Sequence, residues 1–337
     1  MKAAEFSGPG IVGLSDCDRE APSPGWVRLG ITAAGICGSD LSVLQGLLMP
    51  NEGVRPGHEV AGVVDALGDG VTLETGTAVT VEPLVICGSC SHCRTGFTNR
   101  CPSLRAVGLT APGGMADFLN VPATCLHSLP VGVDRQVAAL SEPLAVSFRG
   151  VRLGEVGVGS RVAVLGCGTI GLLAILVARD AGAQEIVATA RYPKQAELAR
   201  ALGASQVFSD ASQLLDAVGD QLIDVVIESV GGTANTLTEA ISIARPGARI
   251  VVLGAFEGTP SIPAVALMAR ELTLVGSMCY ARDRRIGDFA LALEVLGRHR
   301  GVLSDLITHR FSLDQVQQAF EAAADKKAGA IKVLVVP

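Results

Sequence analysis

Residues 161–182 read RVAVLGCGTIGLLAILVARDAG: an apolar run, a glycine turn and a second, longer apolar segment in unbroken succession. RVAVL predicts a strand buried on both faces, and TIGLLAILVARDAG is long enough to predict a helix. Between them Gly166-Cys167-Gly168-Thr169-Ile170-Gly171 fits the pattern G-x-G-x-x-G. In a chain with 40 glycines that pattern alone is weak, and a simple packing turn gives the same letters. Its position is what carries the reading. A turn that leaves a strand and opens a helix sets dinucleotide phosphates against free N–H groups and the positive end of the helix dipole. Gly166, Gly168, Thr169, Ile170 and Gly171 are therefore candidate cofactor-binding residues.

The alternation continues outward from this turn. EIVATA (185–190) predicts a second strand, KQAELARALGA (194–204) a second helix and DVVIES (224–229) a third strand. ARIVVLGAF (248–256) predicts one more strand, after a helix ending near Pro246. Alternating strand and helix implies a doubly wound parallel sheet, so the fold class is α/β. An Asp or Glu at the end of the second strand would mark NAD(H). Here that strand ends Ala190-Arg191-Tyr192-Pro193-Lys194, with no acid. Arg191 can stack on adenine and fork to a 2′-phosphate, and Lys194 adds a point charge, so NADP(H) is favoured over NAD(H). A solvated surface arginine with loosely bound NAD(H) is the alternative.

Upstream the pattern differs. Residues 1–145 read as short β-type runs broken by Gly and Pro, such as WVRLGITAAG (26–35), HEVAGVVDAL (58–67) and TAVTVEPLV (77–85), which predicts a mostly β domain. Inside it ICGSCSHCRTGFTNRCP (86–102) carries Cys87, Cys90, Cys93 and Cys101 in the order C-x2-C-x2-C-x7-C. Too few apolar residues lie there for the segment to hold its own shape, and four thiolates at this spacing predict a closed structural zinc lobe over 85–103. His92, between two of the cysteines, reads as solvated.

A second donor set is spread along the chain: Cys37 in GICGSD, His58 and Glu59 in RPGHEVAG, and Glu142 in SEPLAV. Singly each has an ordinary reading, as a buried thiol, a core histidine or a helix-opening acid. Together they offer thiolate, imidazole and carboxylate with one position open, the donor set of a catalytic zinc. Two zinc ions per chain follow, one structural and one catalytic.

The chain has 337 residues, 49% of them hydrophobic, and a formal net charge of −6. That length supports a large core and two domains. No basic cluster is present to neutralise phosphates, so nucleic acid is not an expected partner. MKAAEFSGPGIVGLSDCDRE has no long apolar run behind a basic start, and nowhere do eighteen apolar residues run together, so no membrane partner is expected. Nine cysteines, an odd number, with a metal-type cluster point to a reducing compartment and a cytoplasmic location. After ELTLVGSMCY (271–280) the tail runs DFALALEVLGRHRG (288–301), FSLDQVQQAFEAAAD (311–325) and IKVLVVP (331–337), and is expected to rejoin the first domain. ARIVVLGAF and SIPAVALMA (261–269) hint at a subunit contact, hence a homodimer or homotetramer, though a buried core gives the same pattern.

Over essentially its whole length the sequence resembles the zinc-dependent medium-chain dehydrogenase/reductase family, in its polyol (sorbitol, threonine and butanediol dehydrogenase-like) branch. GICGSD, GHEVAG, the four-cysteine lobe, EPLAV, GCGTIG, ITHRFSLD and GAIKV carry the resemblance. It implies a GroES-like catalytic domain split over 1–145 and 281–337, a Rossmann domain over 146–280, and substrate in the cleft between them. It implies Cys37, His58 and Glu59 as catalytic zinc ligands, with Glu142 holding the metal's water or exchanging into its shell. Asp40 resembles the carboxylate that orients the ligating histidine, a role the chemistry supports independently. Ser39 is placed to accept the alcohol proton, with a turn residue as its plain reading. Lys332 falls where relatives meet the cofactor pyrophosphate, and Tyr280 where sorbitol-type enzymes have a substrate-pocket tyrosine.

Two positions depart from the family pattern. Cys279 stands where sorbitol-type enzymes carry an arginine, and Ser42 where many relatives have a histidine relay. Less polar secondary or cyclic alcohols are therefore expected beside polyols as substrates for hydride transfer, with the corresponding ketone in reverse. Two other readings stay open on sequence: enoyl or quinone reductase chemistry of the zinc-free type, and a non-catalytic protein that binds zinc and nucleotide.

Overall fold

The computed structural model describes residues 1–49, 52–219, 223–283 and 286–337. The chain divides into two compact units, Met1–Glu142 with Ala281–Pro337, and Pro143–Tyr280. The first junction thus falls after residue 142 rather than 145, inside a helix that begins at Ser141.

The first unit opens with the antiparallel hairpin of β1 (Lys2–Gly8) and β2 (Ile11–Asp16). β3 (Trp26–Gly35) follows, then helix α1 (Gly38–Leu44), β4 (Glu59–Leu67), β5 (Ala78–Val81) and β6 (Leu84–Val85). The four-residue helix α2 (Ser91–Arg94) precedes β7 (Arg105–Ala106), β8 (Phe118–Pro122), β9 (Leu126–Ser128) and α3 (Ser141–Leu153). WVRLGITAAG is the longest strand because its alternate residues have a core to face. Val27, Leu29 and Ile31 are buried together with Val60, Val64, Val79, Val81, Leu119 and Val121.

The second unit contains β10 (Arg161–Leu165), α4 (Thr169–Asp180), β11 (Glu185–Thr189) and α5 (Pro193–Leu202). It continues with β12 (Gln206–Phe208), α6 (Ala211–Val218), β13 (Ile223–Glu228), α7 (Thr236–Ile243), β14 (Ala244–Val252), α8 (Ala264–Ala269) and β15 (Thr273–Gly276). Its strand order is β12-β11-β10-β13-β14-β15, every neighbouring pair parallel, which is the doubly wound sheet expected. The order reverses beside β10, and the glycine turn leaves the carboxyl end of that strand, where such sheets bind ligands.

A helix ends near Pro246 as expected, but the strand after it starts before the proline and not at Ala248. α7 stops at Ile243, and Pro246 lies inside β14. The ring of a proline disfavours helical backbone at the residue before it, so Arg245 is pushed into extended conformation and the strand starts early. The pair β12 and α6 was not expected from sequence, because QVF is too short to show a period.

The tail, α9 (Asp288–Leu303), β16 (Ile307–Ser312), α10 (Val316–Ala324) and β17 (Lys332–Val336), belongs to the first unit. β17 pairs antiparallel with β3, Leu334 opposite Gly35 and Val335 opposite Ala34. Phe320, Val316 and Ala323 of α10 pack with Phe6, Val43 and Met115. This closure brings Lys332, at the start of β17, to the end of β3, where Ile36 N–H donates to the Val333 carbonyl at 3.0 Å.

Candidate active site

The end of β3 and the start of α1 deliver the first donors. Cys37 is the N-cap of α1, and Asp40 Oδ2 accepts a hydrogen bond from the Cys37 N–H at 2.9 Å, so the thiol-bearing residue is fixed by the residue three places on. The other oxygen of the same carboxylate lies 3.4 Å from His58 Nδ1, a charge contact rather than a formed hydrogen bond. Asp40 is 0% and His58 7% exposed, so this contact is unscreened by water. Burial alone would depress the His58 pKa, but Asp40, helped by Cys37, lifts it well above its ordinary value. Ser39 Oγ sits 3.4 Å from His58 Nε2, on the opposite side of the ring from Asp40. Ser42 Oγ donates to the Gly38 carbonyl at 3.2 Å.

Glu59 starts β4 directly opposite Gly35 of β3. A Cβ at position 35 would collide with the Glu59 carboxylate, so glycine there is what makes room for this acid between the paired strands. The carboxylate is wholly buried and bound by Lys332, whose Nζ lies 2.6 Å from both Oε1 and Oε2 and donates also to the Ile36 carbonyl at 3.0 Å. Burial would lower the Lys332 pKa, but Glu59 and Cys37 outweigh it, and the ammonium form is held above its usual range. Lys332 thus has a partner that the expectation did not name: at 2% exposure it is engaged by Glu59. The signal was in the sequence, since a lysine inside the apolar strand IKVLVV needs a buried counter-ion.

Glu142, in the first turn of α3, is buried, and burial pushes its carboxyl up to about 7, with Glu59 adding to the rise and His58 opposing it. Cys37, His58 and Glu59 each offer a donor atom, and these atoms lie within 4.8 Å of one another. Tetrahedral zinc with bonds of 2.0–2.3 Å needs ligand atoms about 3.3–3.8 Å apart, so the three donors are gathered near the spacing that the ion requires. Glu142 is not a member of that compact set.

The four-thiol lobe passes the same test. Cys87, Cys90, Cys93 and Cys101 lie within 4.8 Å of one another, with Cys87 Sγ and Cys93 Sγ at 3.9 Å. The thiols are turned inward by backbone donors: Cys90 N–H to Cys87 Sγ and Cys93 N–H to Cys90 Sγ, each at 3.4 Å. N–H groups of Ser89 and Cys90 pull the Cys87 thiol down to about 6, toward the thiolate that a metal requires. His92 is exposed on α2 and belongs to neither donor set.

In the second unit the glycine turn has the geometry that a pyrophosphate needs. Gly166 takes a left-handed φ of 92°, a Cβ at Gly171 would strike the Gly166 carbonyl, and a Cβ at Gly168 would meet open space. Gly168 is the N-cap of α4 and no side chain caps it, so the helix N-terminus suits an anion. Thr189 Oγ1 accepts from the Gly166 N–H at 3.0 Å and fixes the turn to the end of β11. Ala190 is buried and Arg191 exposed beside it, while Lys194 pairs with Glu197 at 2.9 Å. Sequence reasoning missed Glu228, although an acid ending the apolar run DVVIE invites the question. Its Oε1 accepts from Val230 N–H, Gly231 N–H and Thr236 Oγ at 2.7–2.9 Å, fixing the turn whose Val230 faces Gly166. Tyr280 ends this unit with 1% of its surface exposed, so its ring lies in the interior and not on an accessible wall.

Two family models match the chain: the alcohol dehydrogenase GroES-like domain over residues 23–131 and the zinc-binding dehydrogenase over 169–297. The 2-dehydro-3-deoxy-L-galactonate 5-dehydrogenase of Pseudoalteromonas atlantica is 32% identical over 99% of this chain and 98% of its own. The chain belongs to the zinc-dependent medium-chain dehydrogenases, in their polyol branch. Galactitol-1-phosphate dehydrogenase of Escherichia coli has the same architecture, with a TM-score of 0.92, 29% identity and full coverage of both chains. A dehydrogenase-type chain of Sinorhizobium meliloti 1021 solved with NADP has a TM-score of 0.91 and 30% identity, over 100% of this chain and 99% of its own. This dehydrogenase is thus an oxidoreductase of the zinc-type alcohol and polyol class, acting on a small molecule with a nicotinamide cofactor. The zinc-free reductase and non-catalytic readings fall away with that assignment. No helix among the described residues is long and apolar enough to cross a membrane.

Asp40→Asn keeps an acceptor for the Cys37 N–H and removes the charge beside His58. We expect zinc affinity at the catalytic site to fall by roughly 10- to 100-fold, read by competition with a chelating dye. Unchanged affinity would mean that packing alone orients His58.

Proposed function

We propose that this dehydrogenase transfers hydride between NADP(H) and a secondary alcohol or polyol, or in reverse to the corresponding ketone. The observation that carries the reading is the compact set Cys37, His58 and Glu59, with Ser39 Oγ on His58 Nε2. When bound, zinc supplies a Lewis acid that lowers the pKa of a substrate hydroxyl, and the nicotinamide accepts the hydride. Cys37 and His58 would be permanent ligands and Glu59 the third, with Glu142 positioned to exchange into the shell. Ser39 Oγ takes the substrate proton and passes it outward, with Ser42 or water completing the relay. Asp40 holds the imidazole in the tautomer that leaves Nε2 free for the metal.

Cofactor choice rests on Ala190 and Arg191. No carboxylate is present there to repel a 2′-phosphate, and the exposed guanidinium is available to fork to it. Arg191→Asp is expected to move the preference toward NAD(H), chiefly by raising the KM for NADP(H) by about 100-fold. An unchanged ratio of kcat/KM for the two cofactors would place the phosphate contact elsewhere. Lys194, already paired with Glu197, contributes less.

We place the enzyme in the cytoplasm as a homodimer or homotetramer. Val265 and Met268 of α8 are 75% and 74% exposed beside the edge strand β15, a surface suited to a second copy. The deciding assay follows NADP reduction at 340 nm, a standard reading of the reduced nicotinamide, against sugar alcohols, vicinal diols and cyclic secondary alcohols, with and without a zinc chelator. Chelator-sensitive turnover supports the proposal, and the rank order of substrates chooses between polyol and less polar alcohol. Absence of turnover with any of them, in protein carrying two zincs per chain, would defeat it.

A further inference from the structure

A cavity of about 370 Å³ opens in the first unit, lined among others by Trp26 and Arg28 of β3, Phe118 of β8, Val107, Arg55 and Arg105. None of Cys37, Ser39, His58 or Glu59 lines it. β3 and β8 run antiparallel, with Trp26 opposite Pro122, Arg28 opposite Asn120 and Gly30 opposite Phe118. The alternate residues Val27, Leu29, Leu119 and Val121 enter the core, so the sheet presents an aromatic and basic face on its other side. Arg19 packs on Phe118, its guanidinium 3.8 Å from the ring centroid, and its Nη2 donates to both oxygens of Asp65 at 2.8 and 2.9 Å.

The three lining arginines are not equivalent. Arg28 is committed to Asp65. Arg55 and Arg105 have no hydrogen-bond or ion-pair partner for their side chains among the described residues. Two unpaired guanidinium groups, Arg55 half-buried and Arg105 exposed, beside Val85, Val107 and the Trp26 and Phe118 rings make a setting that suits a planar anion. Asp18 and Glu20, both exposed, also line the opening. Their charge penalises a dianion more than a monoanion.

We propose that this cavity is a binding site for a small organic monocarboxylate with an apolar body, separate from the zinc and cofactor residues. Arg55 and Arg105 take the carboxylate, and the aromatic face of β3 and β8 takes the apolar part. The volume suits a ligand of modest size, at the low end of ordinary small-molecule pockets.

The test uses the full zinc-loaded chain with 4-phenylbutyrate as probe and its neutral amide as control. Cys17 is a free, partly buried thiol that lines the cavity, so its alkylation by iodoacetamide, mapped by mass spectrometry, reports occupancy at this place and not at the catalytic zinc. The carboxylate is expected to bind with millimolar or tighter affinity and to slow Cys17 alkylation, and the amide is not. Arg105→Met, at an exposed position that does not endanger folding, and Arg55→Met are each expected to weaken protection by roughly tenfold. Equal protection by the amide, heat of binding without protection of Cys17, or no protection at about 10 mM probe would each overturn the proposal. So would protection that survives both substitutions.

Discussion

Lys332→Met is expected to destabilise the first unit by about 3–5 kcal/mol when the catalytic zinc has been removed. Substitution leaves the Glu59 carboxylate at 0% exposure with its closest positive charge gone. Transfer of an unpaired carboxylate out of water costs more than a fold of ordinary stability can absorb, so Glu59 must take a proton or drag the β3 and β4 ends open. Zinc is the other positive charge that this carboxylate can reach, because Glu59 belongs to the donor set with Cys37 and His58. Zinc should therefore return most of the lost stability, and the variant should bind zinc more tightly than the wild type. The two effects are separable by urea unfolding followed with and without chelator, together with a zinc titration. Glu59→Gln combined with Lys332→Met removes both charges and should lie closer to the wild type than either single change. A metal-free Lys332→Met chain as stable as the wild type would show that the pair contributes little.

The same pair marks where sequence reading stopped. Strand and helix order in the second unit was legible because RVAVL, EIVAT and IDVVIE are long apolar runs separated by helices of clear length. The donor residues were legible because thiol, imidazole and carboxylate chemistry is local to the residue type. Pairing between residues 59 and 332 is not local. It depends on β17 closing antiparallel on β3, a contact set by the whole tail, and no spacing within either segment encodes it. Likeness to relatives gives Lys332 a phosphate, and the geometry adds Glu59 as its partner. The early start of β14 has the opposite character, since its cause is local: the proline disfavours helical backbone at Arg245.

Cys90→Ser is expected to cost the first unit about 3–4 kcal/mol, near a quarter of the roughly 10–16 kcal/mol that a four-ligand structural zinc supplies. The reason lies in how little else holds the lobe. Around the four thiols the regular structure is β6, β7, the single turn of α2, which buries no residue, and the three-residue 3-10 turn Thr98–Arg100, which buries Thr98 and Asn99. Cys90 has a double part, since its Sγ accepts the Cys93 N–H at 3.4 Å as the N-cap of α2 and is one of the four thiols that would hold the metal. Serine keeps a capping oxygen, so the loss measured is mainly the zinc–thiolate bond and not the cap. At about 2–4 °C per kcal/mol for a unit of this size, the transition should fall by roughly 10 °C. Zinc content should drop toward one ion per chain, with the Cys37, His58 and Glu59 site still loaded and turnover at low temperature largely kept. A variant that melts with the wild type and retains two zincs would mean that the lobe is held by its backbone and that three thiols suffice for the ion.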